Sequence, residues 1–318
     1  MNPSRAVRLS VVIPTWNAPE LTVQAVDHLT RDGIPEWGEL IVVNDGSDDD
    51  TSARARSRCP EVTVIDHATN RGFGAAVNTG FKAAKGEFLA AVNNDALVTW
   101  DTLERIASFL ETQTRAAAGA PQILDPEGNP QRVGLDIPRS PWQRLAGRNA
   151  MAAVRPAAST FGSEAPYPAG YLKGACVVFA RPALADVGLF DEQFHMFAEE
   201  IDLFNRLLSA GWTAWVLPEV HATHFAGLTT RNHSDPAKAK QFRLRSHRSM
   251  CLYYRKHHTW PTATVLRGLL ATRLFGRFLG ALASPAIQWD APRGPREQLS
   301  CLATVLSRCR STPVQPSL

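Results

Sequence analysis

Short apolar segments that alternate with helical segments dominate the first 95 residues of the chain. Each apolar segment has the length of a buried strand, and the segments between them carry apolar residues at helical spacing. Strands that alternate with helices predict a parallel sheet with crossover helices, and therefore an α/β fold. The four strand segments are RLSVVI (8–13), ELIVV (39–43), VTVI (62–65) and FLAAV (88–92).

Polar residues follow all four predicted strands at the point where each strand ends. Ligands of open α/β sheets bind outside the carboxyl ends of the strands, so these residues predict a binding site. The segment FLAAV ends abruptly in two amides and one carboxylate, Asn93-Asn94-Asp95. The other polar residues are Thr15 and Asn17 after the first strand, Asp45 after the second and Asp66 after the third.

The turn after the first strand excludes two common classes of nucleotide-binding protein. A dinucleotide-binding dehydrogenase carries GxGxxG there, whereas this chain has PTWNAPE (14–20), which contains no glycine. The GFG at 72–74 is a weak match because it follows the third strand. The P-loop pattern GxxxxGK[ST] does not occur in the sequence.

The charge of the chain is divided between an acidic body and a basic C-terminal part. Residues 231–318 contain 15 Lys and Arg against 3 Asp and Glu, a net charge of +12, whereas residues 1–230 have a net charge of −8. Two helical patterns, within 237–258 and 264–283, predict a helical extension. In the second pattern we expect an apolar face formed by Ala271, Phe275, Phe278 and Leu282, with Arg273 and Arg277 on another face.

The sequence shows no N-terminal signal and no apolar run of the ~20 residues that a membrane-spanning helix needs. Five scattered cysteines without a CxxC pair or zinc spacing indicate reduced thiols, so we expect a cytoplasmic protein. Two interpretations of the basic extension stay open. Its helices pack on the body with their arginines in water, or residues 238–282 contact the inner surface of the cytoplasmic membrane. No recognition motif supports nucleic acid as a partner.

The middle of the chain has a less regular pattern. Residues 119–170 are rich in Pro, Gly and Arg and predict a variable loop or lid. Regular structure resumes with a strand in KGACVVFAR (173–181) and a helix in EEIDLFNRLLSAG (199–211). Acids at a helix start stabilise the helix by roughly 0.3–1 kcal/mol each, so the acid cluster of this helix has a structural explanation as well as a catalytic one. A strand, TAWVLPE (213–219), then leads to two histidines.

Taken in order and spacing, these segments resemble the family-2 glycosyltransferases, which have the inverting GT-A fold. The resemblance covers most of residues 8–230, and its acidic motif and FDEQF block resemble the bacterial rhamnosyltransferase-like branch. The matching segments are VVIPTWN, LIVVNDGSDDDT, NRGFGAAVNTGFKAAKGEFLAAVNND, LKGACVVFAR, VGLFDEQFHMFAEEIDLFNRLLSAGW and LPEVHATHFAG.

The resemblance implies a GT-A fold in which a mostly parallel nucleotide-binding sheet is flanked by helices. It implies a catalytic domain at 1–230, with a nucleotide-binding half at 1–118 and an acceptor-binding half at 119–230. The basic helical C-terminal extension then covers 231–318.

For the nucleotide-sugar donor, the resemblance points to the strand ends. It implies that Asp45 accepts the N3–H of a uracil or thymine ring, with Thr15 and Asn17 flanking the same base. A UDP- or dTDP-activated donor is therefore expected. Arg71 and Gly72, near a helix start, are implied to bind the ribose or an anion, or else to form only the turn.

The acidic motif of the family is Asp-x-Asp, and it reads Asn93-Asn94-Asp95 here. The resemblance implies that Asp95 binds Mg²⁺ or Mn²⁺ and that Asn93 contacts the ribose or the diphosphate. One carboxylate can suffice, because Mg²⁺ is typically held by one or two carboxylates together with phosphates and water. His224 is implied as the second ligand. His221 lies nearby, but positions three apart on a strand face opposite ways.

The transfer needs a general base near the acceptor hydroxyl, opposite the departing diphosphate. The family usually has Glu-Asp at this point, and Glu200 aligns with the second acid although it is one methylene longer. Asp202 is expected to assist catalysis by orienting the acceptor or the base. Gly174 and Glu199 are implied in acceptor binding. Direct displacement with inversion needs no covalent glycosyl-enzyme.

We therefore expect a metal-dependent hexosyltransferase that acts in cell-envelope polysaccharide assembly. It would move rhamnose or a similar hexose from a UDP- or dTDP-activated donor to a hydroxyl of a glycan or a polyprenyl-diphosphate-linked saccharide. Two alternatives stay open. One is a degenerate GT-A module that binds nucleotides or serves as a scaffold, which the departures at Asn93 and Glu200 allow. The other is a sugar nucleotidyltransferase, which would usually carry a glycine-rich loop where this chain has PTWNAPE.

Overall fold

The strands predicted from the sequence are present in the computed structural model, which describes residues 6–137, 164–225, 236–282 and 295–307. The strands in these ranges are β1 Leu9–Thr15, β2 Gly38–Asn44, β3 Thr63–Asp66, β4 Phe88–Val92, β5 Ala96–Leu97, β6 Ala116–Leu124, β7 Gly134–Leu135, β8 Tyr167–Ala169, β9 Tyr171–Leu172, β10 Cys176–Ala180 and β11 Thr213–His224.

One nine-stranded sheet organises the described part of the chain. Its order is β3-β2-β1-β4-β10-β6-β11-β5, and β8 pairs with β11, while β7 and β9 form a separate pair. Strand β1 pairs in parallel with β2 and β4, and β2 pairs in parallel with β3. Strand β10 runs antiparallel between β4 and β6, and β11 runs parallel to β6. The prediction of a mostly parallel sheet is therefore confirmed, and the carboxyl ends of β1 to β4 share one edge.

Helices cover the faces of this sheet and fill the C-terminal part. Helix α3 packs so closely on β1 that a Cβ atom added at Gly80 would overlap the side chain of Val12. Helix α4 begins where the hydroxyl of Thr99 accepts the backbone N–H of Thr102 at 3.2 Å. The helices are α1 Pro19–Thr30, α2 Thr51–Arg58, α3 Phe73–Ala83, α4 Trp100–Thr112, α5 Arg181–Val187, α6 Glu199–Ser209, α7 Pro236–His257, α8 Trp260–Leu282 and α9 Pro295–Leu306.

The prediction of a loop or lid over 119–170 is wrong for its first residues. Strand β6 lies inside the sheet between β10 and β11, and most of its residues are buried. Its sequence, AAAGAPQIL, contains few β-branched residues, so it carries little of the composition that marks a strand. A Cβ atom at Gly119 would lie 2.6 Å from Ile106 of α4, so the small residues allow a close approach of helix and strand. The segment 138–163 of the predicted lid lies outside the described residues.

Helices α7, α8 and α9 form the extension, and helix α8 buries a different face from the predicted one. Leu270 and Leu274 pack with α7 and α9, whereas Phe275 of the predicted apolar face is 48% exposed. The two apolar stripes are offset by one residue, about 100° around the helix, so the choice depends on what packs against it. The buried residues of α8 are Ala263, Leu266, Leu270 and Leu274.

Among the helices of the described ranges, none has both the length and the apolar character needed to cross a membrane.

Candidate active site

Asp95 follows β4 in a turn and lies beside His224, the last residue of β11. The imidazole Nε2 of His224 is 3.2 Å from Oδ1 of Asp95, and both residues are buried. The backbone fixes this arrangement, because His224 pairs with Ala96 of β5 and the N–H of Phe225 donates to the carbonyl oxygen of Asp95 at 3.0 Å. His221 is exposed. The structure therefore brings His224, and not His221, to Asp95.

The two amides of the same turn have different environments. Asn94 is buried, and its Nδ2 donates to Oγ1 of Thr15 at 3.1 Å; this hydroxyl is also 2.5 Å from Oγ1 of Thr22. Thr15 is thus buried behind the turn and positions Asn94, and its predicted place beside the nucleobase stays a prediction. Asn93 is partly exposed at the sheet edge, and its backbone N–H donates to the carbonyl oxygen of Ala175 at 2.9 Å.

Asp45 is buried at the end of β2 and holds the loop that precedes α3. Its carboxylate accepts the backbone N–H of Arg71 at 3.0 Å and that of Gly72 at 2.7 Å, and it lies 2.7 Å from Nδ1 of His67. A carboxylate has about four acceptor positions, and these contacts use three. The structure therefore gives Asp45 a supporting role in this loop and leaves one acceptor position for the nucleobase contact that the sequence predicted.

The loop before α3 packs against the loop before α6. Gly72 has a φ of +97°, and a Cβ atom there would overlap the carbonyl oxygen of His195, so the close approach requires glycine. The guanidinium of Arg71 is half exposed and forms a 2.6 Å ion pair with Glu192. Asn17, after β1, is exposed and has a φ of 47°.

The acid cluster begins α6 and contacts the segment that enters β10. The backbone N–H of Gly174 donates a hydrogen bond to the carboxylate of Glu200, and a Cβ atom at residue 174 would overlap Oε1 of that carboxylate. The neighbouring Ala175 accepts from the N–H of Asn93. Two consecutive residues therefore connect Glu200 to the turn that carries Asp95.

The two glutamates share a buried environment that favours their protonated forms. Burial raises the pKa of Glu199, and repulsion from Glu200 raises it further. Burial also raises the pKa of Glu200, although the N–H of Gly174 and the charge of Lys173 favour its ionised form. Oε2 of Glu199 is buried and has no hydrogen-bond partner in the part of the chain that the structure describes. A glutamate with a raised pKa can act as a general base near neutral pH.

Asp202 lies apart from Glu200 in a buried network of charges, and its predicted role in catalysis stays a prediction. The residue is completely buried, with Nε2 of His257 at 2.6 Å, Nζ of Lys256 at 2.8 Å and Nε of Arg206 at 3.0 Å. Residues two apart on a helix point in very different directions, so Asp202 faces α7 while Glu200 faces the sheet edge.

The charges around Asp202 keep it ionised despite its burial. Burial alone would raise the pKa of Asp202, but the hydrogen bond from His257 and the charges of Arg206 and Lys256 outweigh this effect and lower the pKa to about 2. A buried carboxylate is tolerated only when it is paired and hydrogen-bonded in this way.

The sequence reasoning missed the residues that attach the extension to α6. Nζ of Lys256 also contacts Oδ2 of Asp191 at 2.7 Å, and Nδ2 of Asn205 donates to the hydroxyl of Tyr253 at 3.2 Å. Asp191 is buried in the loop before α6. The signal available in the sequence was the charge asymmetry, because an acidic body and a basic extension attract each other.

Comparison with known proteins gives two sequence findings. Residues 10–162 match the sequence model of Glycosyl transferase family 2. A relative, the N-acetylglucosaminyl-diphospho-decaprenol L-rhamnosyltransferase of Mycobacterium tuberculosis, is 28% identical over 266 residues, which cover 74% of this chain and 81% of the relative.

Two solved structures resemble the fold. The mannosyltransferase of Pyrobaculum calidifontis, in complex with GDP-Man and Mn²⁺, has a TM-score of 0.54 at 18% identity, over 94% of this chain and 87% of that one. The TarS fragment 1–349 of S. aureus has a TM-score of 0.52 at 16% identity, over 94% of this chain and 80% of that one.

The Asp202 network predicts an acid-dependent loss of stability. The pKa of about 2 in the folded state lies below the ordinary value of 3.8, so this group stabilises the fold above pH 4, and the stabilisation is lost as the pH falls towards 2. We expect Asp202→Asn to lower the free energy of unfolding at neutral pH by at least about 2 kcal/mol, and the difference from wild type to narrow below pH 4.

Urea unfolding followed by circular dichroism measures this difference at each pH. The control is Asp27→Asn, which removes a carboxylate from a partly exposed ion pair with Arg58 and should cost less than about 1 kcal/mol. Equal effects of the two substitutions at neutral pH would contradict the proposed contribution of the buried network.

Proposed function

The chain belongs to glycosyl transferase family 2 and has the GT-A fold, and from this premise we propose the reaction that it catalyses. It transfers rhamnose or a similar hexose from a dTDP- or UDP-activated donor to a hydroxyl of a polyprenyl-diphosphate-linked saccharide or another glycan in cell-envelope polysaccharide assembly. The observation that carries the proposal is the juxtaposition of Asp95, His224 and Glu200 at the carboxyl edge of the sheet. The relative from Mycobacterium tuberculosis, by its name, uses a decaprenyl-diphosphate-linked acceptor.

Asp95 and His224 are the proposed protein ligands of a divalent metal, Mg²⁺ or Mn²⁺. Their donor set fits, because a carboxylate oxygen and an imidazole nitrogen lie 3.2 Å apart in a buried place at the sheet edge. Within the described ranges no cluster of three or more His, Cys, Asp or Glu surrounds a common point, so two protein ligands leave positions for diphosphate oxygens and water. The bound ion would neutralise the charge that develops on the diphosphate leaving group.

The donor nucleotide is proposed to lie along the ends of β1 and β2. Asn17 after β1 is exposed, and Asn93 after the neighbouring strand β4 is partly exposed, so both can reach a ligand. Arg71 supplies a half-exposed cation. Asp45 keeps Gly72 in its left-handed conformation and offers its remaining acceptor position to the nucleobase.

Glu200 is the proposed general base. As the new C–O bond forms at the anomeric carbon with inversion, Glu200 takes the proton of the acceptor hydroxyl, and the C–O bond to the diphosphate breaks. The absence of a side chain at Gly174 gives the longer glutamate the room that it needs. Glu199 and Gly174 lie beside it on the proposed acceptor side.

The two proposed halves of the catalytic domain meet within one sheet. The nucleotide-binding half, 1–118, supplies β1 to β5, and the acceptor-binding half, 119–230, supplies β8, β10 and β11. Strand β6 spans the proposed boundary. The extension, 231–318, is proposed to be a separate basic unit that docks on α6.

The extension is also proposed to contact the inner surface of the cytoplasmic membrane through residues 238–282. Helix α8 exposes large apolar side chains: Trp260 is 81% exposed, and Phe275 and Leu279 are each 48% exposed. Arg273 and Arg277 lie among them on the same helix. Apolar anchors beside basic residues fit an anionic lipid surface, where a polyprenyl-linked acceptor would be found.

Nucleotide binding should depend on the metal. We expect UDP or dTDP to raise the melting temperature in the presence of Mn²⁺ or Mg²⁺, because a ligand at 100 times its Kd adds about 2.7 kcal/mol to the folded state. Asp95→Ala and His224→Ala should remove the metal-dependent part of the shift. Differential scanning fluorimetry with UDP, dTDP and GDP measures the shift of the melting temperature.

Asp101→Ala serves as the control, since Asp101 is exposed on α4. No shift of the wild-type protein with any nucleotide would reject the active transferase and favour a degenerate module.

Removal of the base should abolish transfer without abolishing donor binding. A general base contributes about 10²- to 10⁴-fold, so we expect kcat of Glu200→Gln to fall by that factor while the nucleotide shift persists. The exposed Glu219→Gln is the control and should keep wild-type kcat. Transfer of a radiolabelled sugar measures the rate, and an unchanged kcat in Glu200→Gln would reject its role.

The rate should also fall on the acid side with an apparent pKa above the ordinary glutamate value of 4.5, because burial raises the pKa of Glu200. The two adjacent carboxyl groups titrate as a pair. In Glu199→Gln the acid limb should stay above 4.5, because burial raises the pKa of Glu200 whereas the repulsion raises that of Glu199. A pH–rate profile whose acid limb lies at 4.5 in wild type would contradict the role of burial.

Membrane contact should depend on both charge and apolar anchors. We expect the protein to sediment with vesicles that contain anionic lipid and to be released by 0.5 M salt, because salt screens the attraction. Trp260→Ala/Phe275→Ala should bind at least several-fold more weakly. The control is Trp16→Ala, a large exposed side chain of the catalytic domain. Absent or salt-insensitive binding would reject the proposal.

A further inference from the structure

Two arginines of α7 face the loop that precedes α6. The hydroxyl of Ser249 donates to the carbonyl oxygen of Met196 at 2.9 Å and holds this turn of α7 against the loop. Arg245 lies one turn before Ser249, and Arg248 immediately before it. Arg245 and Ser249 are four residues apart and therefore lie on the same face of α7. Burial is the largest cause that lowers the pKa of His195, and the charges of Arg245 and Arg248 lower it further.

His195 connects these arginines to the proposed donor site. Its carbonyl oxygen lies against Gly72, and its ring donates a hydrogen bond to the carbonyl oxygen of Arg71. The N–H groups of Arg71 and Gly72 are in turn held by Asp45. The arginines therefore stand beside the loop that precedes α3, although they come from the extension.

Among the residues that the structure describes, no carboxylate pairs with the guanidinium groups at this place. Arg245 is partly buried and Arg248 is exposed, and neither forms a hydrogen bond or an ion pair with a residue in the described ranges. Arg206 and Arg243 are also partly buried, but each pairs with a carboxylate. A partly buried cation without a partner is costly unless a ligand supplies the negative charge.

We propose that Arg245 and Arg248, with His195 beside them, form an anion site that binds a diphosphate group of a substrate. The inference rests on the proposed transfer reaction, which offers two sources of this group: the nucleotide diphosphate of the donor and the polyprenyl diphosphate of the acceptor. Guanidinium groups bind phosphate oxygens through paired, charge-assisted hydrogen bonds, so two arginines suit a diphosphate.

The proposed site also supplies positive charge to a catalytic domain that has an excess of acids. Residues 1–230 have a net charge of −8, and a diphosphate adds further negative charge at the same sheet edge. The extension, with its net charge of +12, supplies cations where the domain has an excess of acids. Docking of α7 thereby completes the binding site.

Calorimetric titration distinguishes the two sources of the diphosphate. The ligands are dTDP and UDP, which represent the donor, and geranyl diphosphate, which represents the acceptor, each with Mg²⁺. The variants are Arg248→Gln, Arg245→Gln/Arg248→Gln and the control Arg255→Gln, which removes a charge from the same helix about 10 Å further along its axis. Arg255 is exposed.

We expect the double variant to bind one diphosphate at least about 10-fold more weakly, since hydrogen bonds to charged groups are strong. Weaker nucleotide binding identifies the donor as the source, and weaker binding of geranyl diphosphate identifies the acceptor. Arg255→Gln should bind all ligands as wild type does.

Affinities of the double variant within about 2-fold of wild type for every ligand would overturn the inference and leave the proposed transfer intact. An equal loss in Arg255→Gln would overturn it too, since the effect would then be one of net charge. A wild-type protein that binds no nucleotide would reject the proposed function itself, and this inference with it. Because Arg248 is exposed, its single substitution gives the answer if Arg245→Gln impairs folding.

Discussion

The buried carboxylate of Asp202 joins the catalytic domain to its basic extension. A carboxylate removed from water costs several kcal/mol unless cations and hydrogen-bond donors replace its hydration, and Lys256 and His257 of α7 provide them. Lys256 also contacts Asp191 in the loop before α6. Helix α6, which carries Glu200, is thus held on its far side by the extension, so the position of the proposed base depends on the docking of α7.

Two close contacts at glycine residues position the other parts of the proposed site. Gly72 lets the loop before α3 contact the carbonyl oxygen of His195. Gly174 lets the carboxylate of Glu200 reach the backbone N–H of residue 174. A Cβ atom at residue 72 would force the two segments apart, and one at residue 174 would displace the carboxylate of Glu200. The elements on which Asp45, Glu200 and Asp95 lie are thereby fixed by backbone contacts, which is the rigid support that a catalytic site needs.

The sequence predicted those parts of the fold that depend on residues close together in the chain. The four parallel strands and the polar residues at their ends follow from alternation of strand and helix, and the faces of β11 distinguish His224 from His221. Strand β6 was missed, because its small residues become a strand only through pairing on both sides. The buried face of α8 and the environment of Asp202 were missed for the same reason. The residues that pack against them lie far away in sequence. The sequence pattern of a helix does not show which of its faces those residues will bury.

The extension resolves an electrostatic difficulty that the catalytic domain has on its own. The reaction proposed here gathers acids, Asp95 and Glu200 among them, around a substrate that carries two phosphates, and the domain has an excess of acids overall. Cations from the extension enter in two ways. Lys256 pairs with the buried carboxylates of Asp191 and Asp202 and stabilises the fold. Arg245 pairs with no carboxylate of the described residues, and its charge acts on His195 in the loop before α6. If Arg245 and Arg248 bind a substrate diphosphate as proposed, the attraction that docks α7 also brings positive charge to that diphosphate, and the fold and the proposed chemistry depend on one interface.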